Sequence, residues 1–270
     1  MFEKIAFIGA GSMGEAILSG LIAKHVVDAS QIYVTNKTDE NRLQELEETY
    51  HIHTSYNKEE VIKDASVVLL TMKPYDLDDA LTSIRSYITE DQLVISVAAG
   101  QPIDHIAGLL KGGNPIVRAM PNTSASIGLS ATALSAGKQV NAQERKMATK
   151  LFETIGHSDW IDEEDMHIIT SIAGSGPAYF YYLVEEMEKA AIASGLDPQT
   201  ASTFIRQTIL GAGHMLQNKE ITAAELRKRI TSPNGTTEAG IRALDDHNFA
   251  EAVHACVQSA KDRSIELGKK

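Results

Sequence analysis

The sequence predicts an α/β fold, in which a doubly wound parallel sheet is followed by an all-helical domain. In the first half of the 270 residues, short apolar runs alternate with stretches that have helical spacing. Continuous apolar runs are typical of parallel strands buried on both faces, and helices between such strands form right-handed crossovers. After about Asp162 the strand pattern stops and four or five helical patterns follow. We therefore predict one domain over 1–162 and a second, all-helical domain over 163–270.

Five strands are predicted in chain order, with a sixth candidate: KIAFIGA, QIYVTN, SVVLLTM, QLVISVAA, PIVRAM and, as the candidate, ATALSAG. Three residue pairs near helix starts have the spacing of a capping box, and two helices place proline at their first position. The capping-box pairs are Asn141 with Glu144, Thr222 with Glu225 and Asn248 with Glu251; the prolines are Pro177 after Gly176 and Pro198 after Asp197.

The composition argues against several classes of protein. The formal net charge of -11 disfavours a nucleic-acid or anionic-membrane partner. No apolar run approaches the about 18 residues of a membrane span, and the opening MFEKIAFIGAG lacks a signal-peptide pattern, so we expect a cytoplasmic protein. The lone Cys256 is on the apolar side of a helical pattern. The nine histidines lack metal-ligand spacing, so no metal is predicted.

Three glycines in FIGAGSMG have the spacing G-x-G-x-x-G, after a predicted strand and at the start of a predicted helix. Gly9 allows a tight turn, Gly11 lets the backbone approach a pyrophosphate, and Gly14 lets the helix pack closely on the strand. The helix N-terminus then favours the anion. The motif predicts a Rossmann-type dinucleotide-binding domain, with cofactor contacts at Ile8, Gly9, Ala10, Gly11, Ser12, Met13 and Gly14.

The end of the second strand bears on the choice of cofactor. Folds that prefer NAD often place a carboxylate about 20 residues after the glycines, where it binds the ribose 2′-OH. Here the sequence is VTNKT, with Asn36, Lys37 and Thr38. Lys37 would attract a 2′-phosphate, although Asp39 and Glu40 follow closely. We predict NADP(H) as the preferred cofactor, with NAD(H) as the alternative.

Other loops at the carboxyl ends of strands should line the cofactor as well. Lys73 could be a catalytic acid, but the proline after it favours a shaped loop; Arg118 could bind a carboxylate or anchor its loop. The stretch GSG over 174–176 either is only a tight entry to the long helix that follows or also admits the nicotinamide end of the cofactor. The remaining predicted cofactor contacts are Asn57, Thr71, Met72, Lys73, Pro74, Ala98, Ala99, Gly100, Asn122, Gly174, Ser175 and Gly176.

A loop near the C-terminal end, ITSPNGTTEAG, is rich in hydroxyls and backbone N–H groups, and its one ionisable side chain is Glu238. Together with FIGAGSMGEAI, VTNK, LLTMKP, SVAAG, VRAMPNT and AGSGPAYFY, this loop makes the whole chain resemble the pyrroline-5-carboxylate reductase family. AGSGPAYFY and the loop are the specific motifs. The sequence departs from the family at Asn234, where many members have glycine; asparagine is the residue most tolerant of positive φ after glycine.

The resemblance implies a reaction and an assembly. In the family, NADPH gives a hydride to the C=N carbon of 1-pyrroline-5-carboxylate, which yields L-proline in the last step of proline biosynthesis. The helical domain is expected to be a substrate and dimerisation domain, forming an intertwined homodimer that is often built into larger rings. Thr237 matches the threonine at the ring nitrogen and is the catalytic candidate; backbone N–H groups near Ser232, Gly235, Thr236 and Thr237 are candidates for holding the carboxylate. Alternatively, these hydroxyls only cap the next helix.

Three other functions stay open on the sequence. A β-hydroxyacid dehydrogenase shares the glycine pattern and a helical domain but uses a helix lysine, whereas the first lysine of the helix after GSG is Lys189. A non-catalytic NADP(H)-binding regulator would not need the hydroxyl-rich loop. A reductase for a six-membered cyclic imine differs by one methylene, which shifts discrimination by only about 1–3 kcal/mol.

Overall fold

The computed structural model describes residues 2–110 and 112–268. It divides into two compact units. The sheet unit comprises the described residues up to Ser175 together with those from Gln258 onward, and the helical unit is Gly176–Val257. This division differs from the predicted one at 162/163, because the segment up to Ser175 and the end of the last helix belong to the sheet unit.

Eight strands form one sheet in the order β3-β2-β1-β4-β5-β6-β7-β8. Neighbours are parallel except β6 and β7, which pair antiparallel, so β7 and β8 run opposite to the rest. The doubly wound parallel sheet is thus confirmed for β1 to β6, and the candidate sixth strand is β7. The strands are Ile5–Ile8 (β1), Ile32–Thr35 (β2), His53–Thr54 (β3), Val67–Leu70 (β4), Leu93–Ser96 (β5), Ile116–Met120 (β6), Ser130–Ala136 (β7) and Gly156–Trp160 (β8).

Twelve α-helices lie in the described residues. Seven belong to the first part of the chain: Ser12–Ala23 (α1), Glu40–Tyr50 (α2), Lys58–Ile62 (α3), Leu77–Ile84 (α4), Ile103–Leu109 (α5), Ala142–Phe152 (α6) and Met166–Ile169 (α7). Five follow: Gly176–Ala193 (α8), Pro198–Leu216 (α9), Ala223–Arg229 (α10), Thr236–Asp246 (α11) and Phe249–Gly268 (α12). None of these helices is long and apolar enough to cross a membrane.

Local capping explains several helix starts. The predicted capping boxes of Asn141 and Thr222 are both formed, and Asp197 accepts a hydrogen bond from the Thr200 N–H at the start of α9. Asn248 differs from its prediction, because its φ of 57° is left-handed. An N-cap residue normally has extended backbone, so Asn248 makes the turn between α11 and α12 instead.

The sheet unit has a core on each face of the sheet. Phe7 packs into one buried cluster with α1 and α6, whereas its neighbour Ile8 packs into the other with α4 and α5. Successive side chains of a strand point to opposite faces. Burial on both faces therefore explains why the strands read as continuous apolar runs rather than as alternating ones.

The helical unit, by contrast, has almost no core of its own. Of residues 176–257 only Gly176, Ala201 and Ile205 are buried, and α8 and α9 expose large apolar side chains. Monomeric proteins rarely expose contiguous apolar surface of this kind, and such surface marks an interface. The most exposed of these side chains include Phe180, Tyr181, Tyr182, Phe204, Leu210, Met215 and Leu216.

Candidate functional site

The glycine-rich loop after β1 has the backbone that the motif predicts. Gly9 has a φ of 118°, which side chains rarely tolerate, and a Cβ built there would lie 2.8 Å from the Met72 backbone nitrogen. A Cβ at Gly14 would lie 3.0 Å from Thr71 Oγ1 and 3.1 Å from the Gly9 carbonyl oxygen. Packing and backbone conformation therefore require glycine at Gly9, and at Gly14 a side chain would fit only if Thr71 or the loop shifted.

Thr71, the first residue after the neighbouring strand β4, holds this loop in place. Its buried hydroxyl donates a hydrogen bond to the Gly9 carbonyl oxygen at 2.7 Å. The sequence prediction made Thr71 a cofactor contact. In the structure its hydroxyl is engaged with the loop, so its side chain shapes the turn between β1 and α1.

Gly11 is different, because nothing in the chain requires glycine there. A Cβ at Gly11 would have no heavy atom within 4 Å, and its φ of -78° is ordinary. Gly11 is the N-cap of α1 and supplies no side-chain hydrogen bond, so the first-turn N–H groups lack a side-chain cap. Free N–H groups and the helix dipole suit an anion. The loop therefore fits a diphosphate that approaches the backbone closely.

The end of β2 forms the next part of the site. The Asn36 side chain bonds to the Asp39 backbone, donating to its oxygen at 2.6 Å and accepting from its nitrogen at 3.0 Å. Asn36 thus shapes the turn rather than offering a free amide. The Lys37 side chain is 74% exposed, and its Nζ lies 3.6 Å from Asp76 Oδ1. Thr38 is exposed beside it.

A cavity of about 240 Å³ connects these pieces. It is lined by residues of the glycine loop, the end of β2 and the end of β4, which the sequence had assigned to the cofactor: Ile8, Gly9, Asn36, Lys37 and Met72. It is also lined by Lys58, Asp76 and Asp79, which the sequence analysis did not identify. Lys58 follows Asn57, and only the fold shows that it reaches the end of β2.

Asn57 serves as the N-cap of α3, where its side chain accepts a hydrogen bond from the Glu60 N–H at 3.4 Å. Lys73 is exposed and precedes a short 3₁₀ turn that starts at Pro74. That geometry agrees with a shaped loop at Lys73. The cofactor contacts predicted for Asn57, Lys73 and Pro74 stay predictions.

The loop after β5 packs against the end of the chain. Gly100 has a φ of 81°, and a Cβ there would lie 3.0 Å from Leu267 Cβ in the last turn of α12. Ala98 is buried, and its backbone N–H donates to Ser96 Oγ. Internal packing therefore accounts for Gly100. The predicted cofactor contacts of Ala98, Ala99 and Gly100 stay predictions.

Arg118 lies in the middle of β6 and is only 2% exposed. Its Nη1 donates to Glu163 Oε1 at 3.1 Å, and the same oxygen accepts from the Ile103 N–H at 2.8 Å. Burial lowers the pKa of the Arg118 guanidinium, and Glu163 opposes that shift. Arg118 Nη2 has no hydrogen-bond partner among the described residues. This burial favours the internal anchor over a substrate carboxylate as the role of Arg118.

Asn122 ties the loop after β6 to the segment before α8. Its Nδ2 donates to the Ala173 carbonyl oxygen at 3.0 Å, and its Oδ1 accepts from the Ser124 N–H at 3.1 Å. Ala173 belongs to a π-helical turn over Thr170–Gly174. Asn122 therefore ties its loop to the segment that contains Gly174 and Ser175. The cofactor contacts predicted for Asn122, Gly174, Ser175 and Gly176 stay predictions.

The hydroxyl-rich loop lies between α10 and α11 in the helical unit. Asn234 has a φ of 56°, the left-handed conformation that the glycine-to-asparagine difference suggested. The Gly235 N–H donates to the Ser232 carbonyl oxygen at 3.0 Å, and a Cβ at Gly235 would lie 2.5 Å from Ser232 Oγ. Only glycine fits this turn without movement.

The start of α11 has no side-chain cap. Its N-cap is Gly235, and within residues 2–110 and 112–268 the hydroxyls of Ser232, Thr236 and Thr237 form no hydrogen bond. Glu238 is turned back to accept from the Asn234 N–H at 2.8 Å, and its Oε2 lies 3.8 Å from Arg242. The capping explanation for these hydroxyls is therefore not supported. First-turn N–H groups and three hydroxyls are together at one helix start, which suits a carboxylate.

No group of three or more potential metal ligands occurs in the described part of the chain.

Comparisons with known proteins cover nearly the whole chain. Residues 163–267 match the family model described as pyrroline-5-carboxylate reductase dimerisation, and residues 4–100 match the model described as NADP oxidoreductase, coenzyme F420-dependent. Pyrroline-5-carboxylate reductase 2 of Bacillus subtilis is 43% identical over 265 residues, covering 98% of this chain and 95% of that protein. The pyrroline-5-carboxylate reductase of Staphylococcus aureus is 38% identical, covering 98% of this chain and 97% of that protein.

Solved structures agree. The pyrroline-5-carboxylate reductase of Coxiella burnetii has a TM-score of 0.92 at 34% identity and covers 99% of each chain. The Plasmodium falciparum pyrroline carboxylate reductase, solved with NADP bound, has a TM-score of 0.88 at 27% identity and covers 98% of each chain.

Proposed function

Because this chain belongs to the pyrroline-5-carboxylate reductase family, we propose that it reduces 1-pyrroline-5-carboxylate to L-proline, the last step of proline biosynthesis. It is an NAD(P)H-dependent oxidoreductase. When bound, NADPH supplies the hydride that reduces the C=N bond. NADH is the alternative donor.

The start of α11 is the observation that carries this proposal. Its glycine N-cap leaves the first-turn N–H groups without a side-chain cap, and the three neighbouring hydroxyls form no hydrogen bond in the described chain. The proposed substrate is a small ring with one carboxylate and one nitrogen. We assign the carboxylate to Ser232, Gly235 and Thr236, and the ring nitrogen to the Thr237 hydroxyl.

This reaction does not need a strong base. A protonated imine is already electrophilic, so the protein must hold the ring and orient its C=N carbon, and positioning supplies most of the acceleration. A hydroxyl at Thr237 is suited to keep the proton at the ring nitrogen. Few acid–base side chains are required, in keeping with a loop whose one ionisable side chain is Glu238.

Helix α8 argues against the dehydrogenase alternative. Oxidation of a C–OH group needs a general base. Lys189, the first lysine of α8, is exposed, and its Nζ bonds to Glu185 Oε1 at 2.6 Å and Glu186 Oε1 at 2.7 Å. These two hydrogen bonds raise the pKa of Lys189. A lysine held in its charged form is a poor general base.

Self-association follows from the helical unit. It matches the dimerisation model of the family, and α8 and α9 expose apolar side chains that the described chain does not cover. Pairing with a second copy would bury this surface. We propose the intertwined homodimer, with a larger ring as its extension. The cytoplasmic location stays a prediction.

The proposal is tested by the loss of NADPH absorbance when 1-pyrroline-5-carboxylate is added at neutral pH, with NADH in a parallel assay. Rapid loss, faster with NADPH, is the expected result. An equal loss of NADPH and NADH absorbance would support the reaction and contradict the preference for NADPH. Cofactor binding without turnover on the five-membered ring would refute the proposal, and the six-membered imine then separates a related reductase from a non-catalytic regulator.

A further inference from the structure

The cavity at the end of β2 is lined by charged groups from three parts of the chain. Lys37 follows β2, and Lys58 is the first residue of α3. Asp76 is the N-cap of α4, and Asp79 lies in the first turn of that helix. In a dinucleotide fold the adenosine ribose lies at the end of the second strand. The charges of this cavity are therefore placed to distinguish a 2′-phosphate from a 2′-hydroxyl.

The two lysines of the cavity are held differently. The Lys37 side chain is 74% exposed, and its Nζ lies 3.6 Å from the carboxylate of Asp76. Lys58 is half-buried, and its Nζ donates to Ser83 Oγ in α4 at 2.8 Å. Among the residues that the structure describes, no carboxylate forms an ion pair with Lys58.

These differences give Lys58 the stronger electrostatic role. An ammonium group has three donors, and Ser83 uses one, so two stay available. A side chain already held in place by a hydrogen bond loses less conformational entropy when it binds an anion. Lys37 must in addition leave its carboxylate partner before it binds an anion.

We propose that Lys58 is the main phosphate-binding lysine of this cavity and sets the preference for NADP(H), while Asp76 weakens that preference by competing for Lys37. This inference rests on the proposed function, since it concerns the cofactor of the same reaction. It adds two specificity-determining residues that lie outside the glycine motif and outside the turn after β2.

The test is Lys58→Gln, assayed with NADPH and with NADH on the same imine. We expect kcat/KM for NADPH to fall about tenfold or more, the effect of losing one charge-assisted hydrogen bond, and kcat/KM for NADH to change less than about twofold. Lys63→Gln is the matched control, because Lys63 ends the same short helix and does not line the cavity. Asp76→Asn is expected to act in the opposite direction and raise the NADPH-to-NADH ratio.

The inference would be overturned if Lys58→Gln lowered kcat/KM equally with NADPH and NADH, or left both unchanged. An unchanged NADPH-to-NADH ratio of kcat/KM in Asp76→Asn would also overturn it. Direct binding separates this outcome from failure of the proposed function. Calorimetry with adenosine 2′,5′-bisphosphate and with AMP reports the 2′-phosphate alone, without an imine. Lys58→Gln should weaken the binding of the bisphosphate and leave the binding of AMP unchanged, even if the wild-type chain turns over neither cofactor.

Discussion

Replacing Gly11 with alanine is expected to weaken cofactor binding while leaving the fold nearly intact. A Cβ at Gly11 meets no heavy atom within 4 Å, and the backbone φ of -78° suits alanine. The free protein therefore loses only the small advantage of glycine over alanine at an N-cap, which is about 1 kcal/mol or less.

The Gly11→Ala change should weaken cofactor binding much more than it weakens the fold. The new methyl group points into the space that a diphosphate must enter to reach the N–H groups of α1. Forcing an extra methyl into a closely packed contact costs about 1–3 kcal/mol, which is about 5- to 150-fold in Kd.

Gly9→Ala is the contrasting variant. Its φ of 118° and the 2.8 Å approach of its Cβ to the Met72 nitrogen would strain the free protein, at a cost of about 2 kcal/mol or more. The single tryptophan, Trp160, lies in β8 of the same sheet and can report urea unfolding by fluorescence. Calorimetry with NADPH measures the Kd of each variant. If Gly11→Ala binds NADPH as the wild type does, no diphosphate approaches this loop; if it unfolds as readily as Gly9→Ala, the packing argument is wrong.

Three further variants test other parts of the site. Gly235→Ala should raise the KM for the imine about tenfold or more, since its Cβ would lie 2.5 Å from Ser232 Oγ; Gly240→Ala in the same helix has no atom within 4 Å and should leave KM unchanged. Thr237→Ala should lower kcat with little change in NADPH affinity, and steady-state kinetics with unchanged kcat would remove Thr237 from the mechanism. Glu163→Gln leaves the buried Arg118 charge unpaired and should lower the free energy of unfolding by about 2 kcal/mol, less than for a fully buried pair because the Glu163 side chain is 33% exposed. Its exposed neighbour Glu164→Gln is the control in the same urea titration.

The sequence predicted the parts of the fold in which side-chain burial leaves a periodic signal. Phe7 and Ile8 lie in cores on opposite faces, so β1 had to be apolar throughout. The last strand, GHSDW, has half-buried and exposed residues and no apolar run, and for that reason it was missed. The antiparallel pairing of β6 with β7 was missed as well, because pairing direction depends on the chain path and leaves no periodicity.

The candidate site likewise has residues that the sequence predicted and residues that only the structure reveals. The glycine spacing predicted a strained turn and an open position, and the structure has both at Gly9 and Gly11. Lys58 and Glu163 could not be found from spacing, because each acts on residues distant in the sequence. Lys58 bonds to Ser83, and Glu163 bonds to Arg118 and to the Ile103 N–H.

Helix capping distinguishes the two candidate binding loops from the rest of the chain. Five helices begin with a side-chain cap, from Asp39, Asn57, Asn141, Asp197 and Thr222.

Three other helices, α4, α5 and α7, lack a side-chain cap from their N-cap residue but have another structure at their start. α4 and α7 continue from 3₁₀ turns, and Glu163 accepts the first N–H of α5.

Among the described helices with an assigned N-cap, only α1 and α11 have glycine as the N-cap residue. A serine or aspartate cap would stabilise either helix by only about a few tenths of a kcal/mol relative to glycine, and its oxygen would occupy the N–H groups that an anion needs. The same choice at both helices fits one phosphate-bearing cofactor and one carboxylate-bearing substrate.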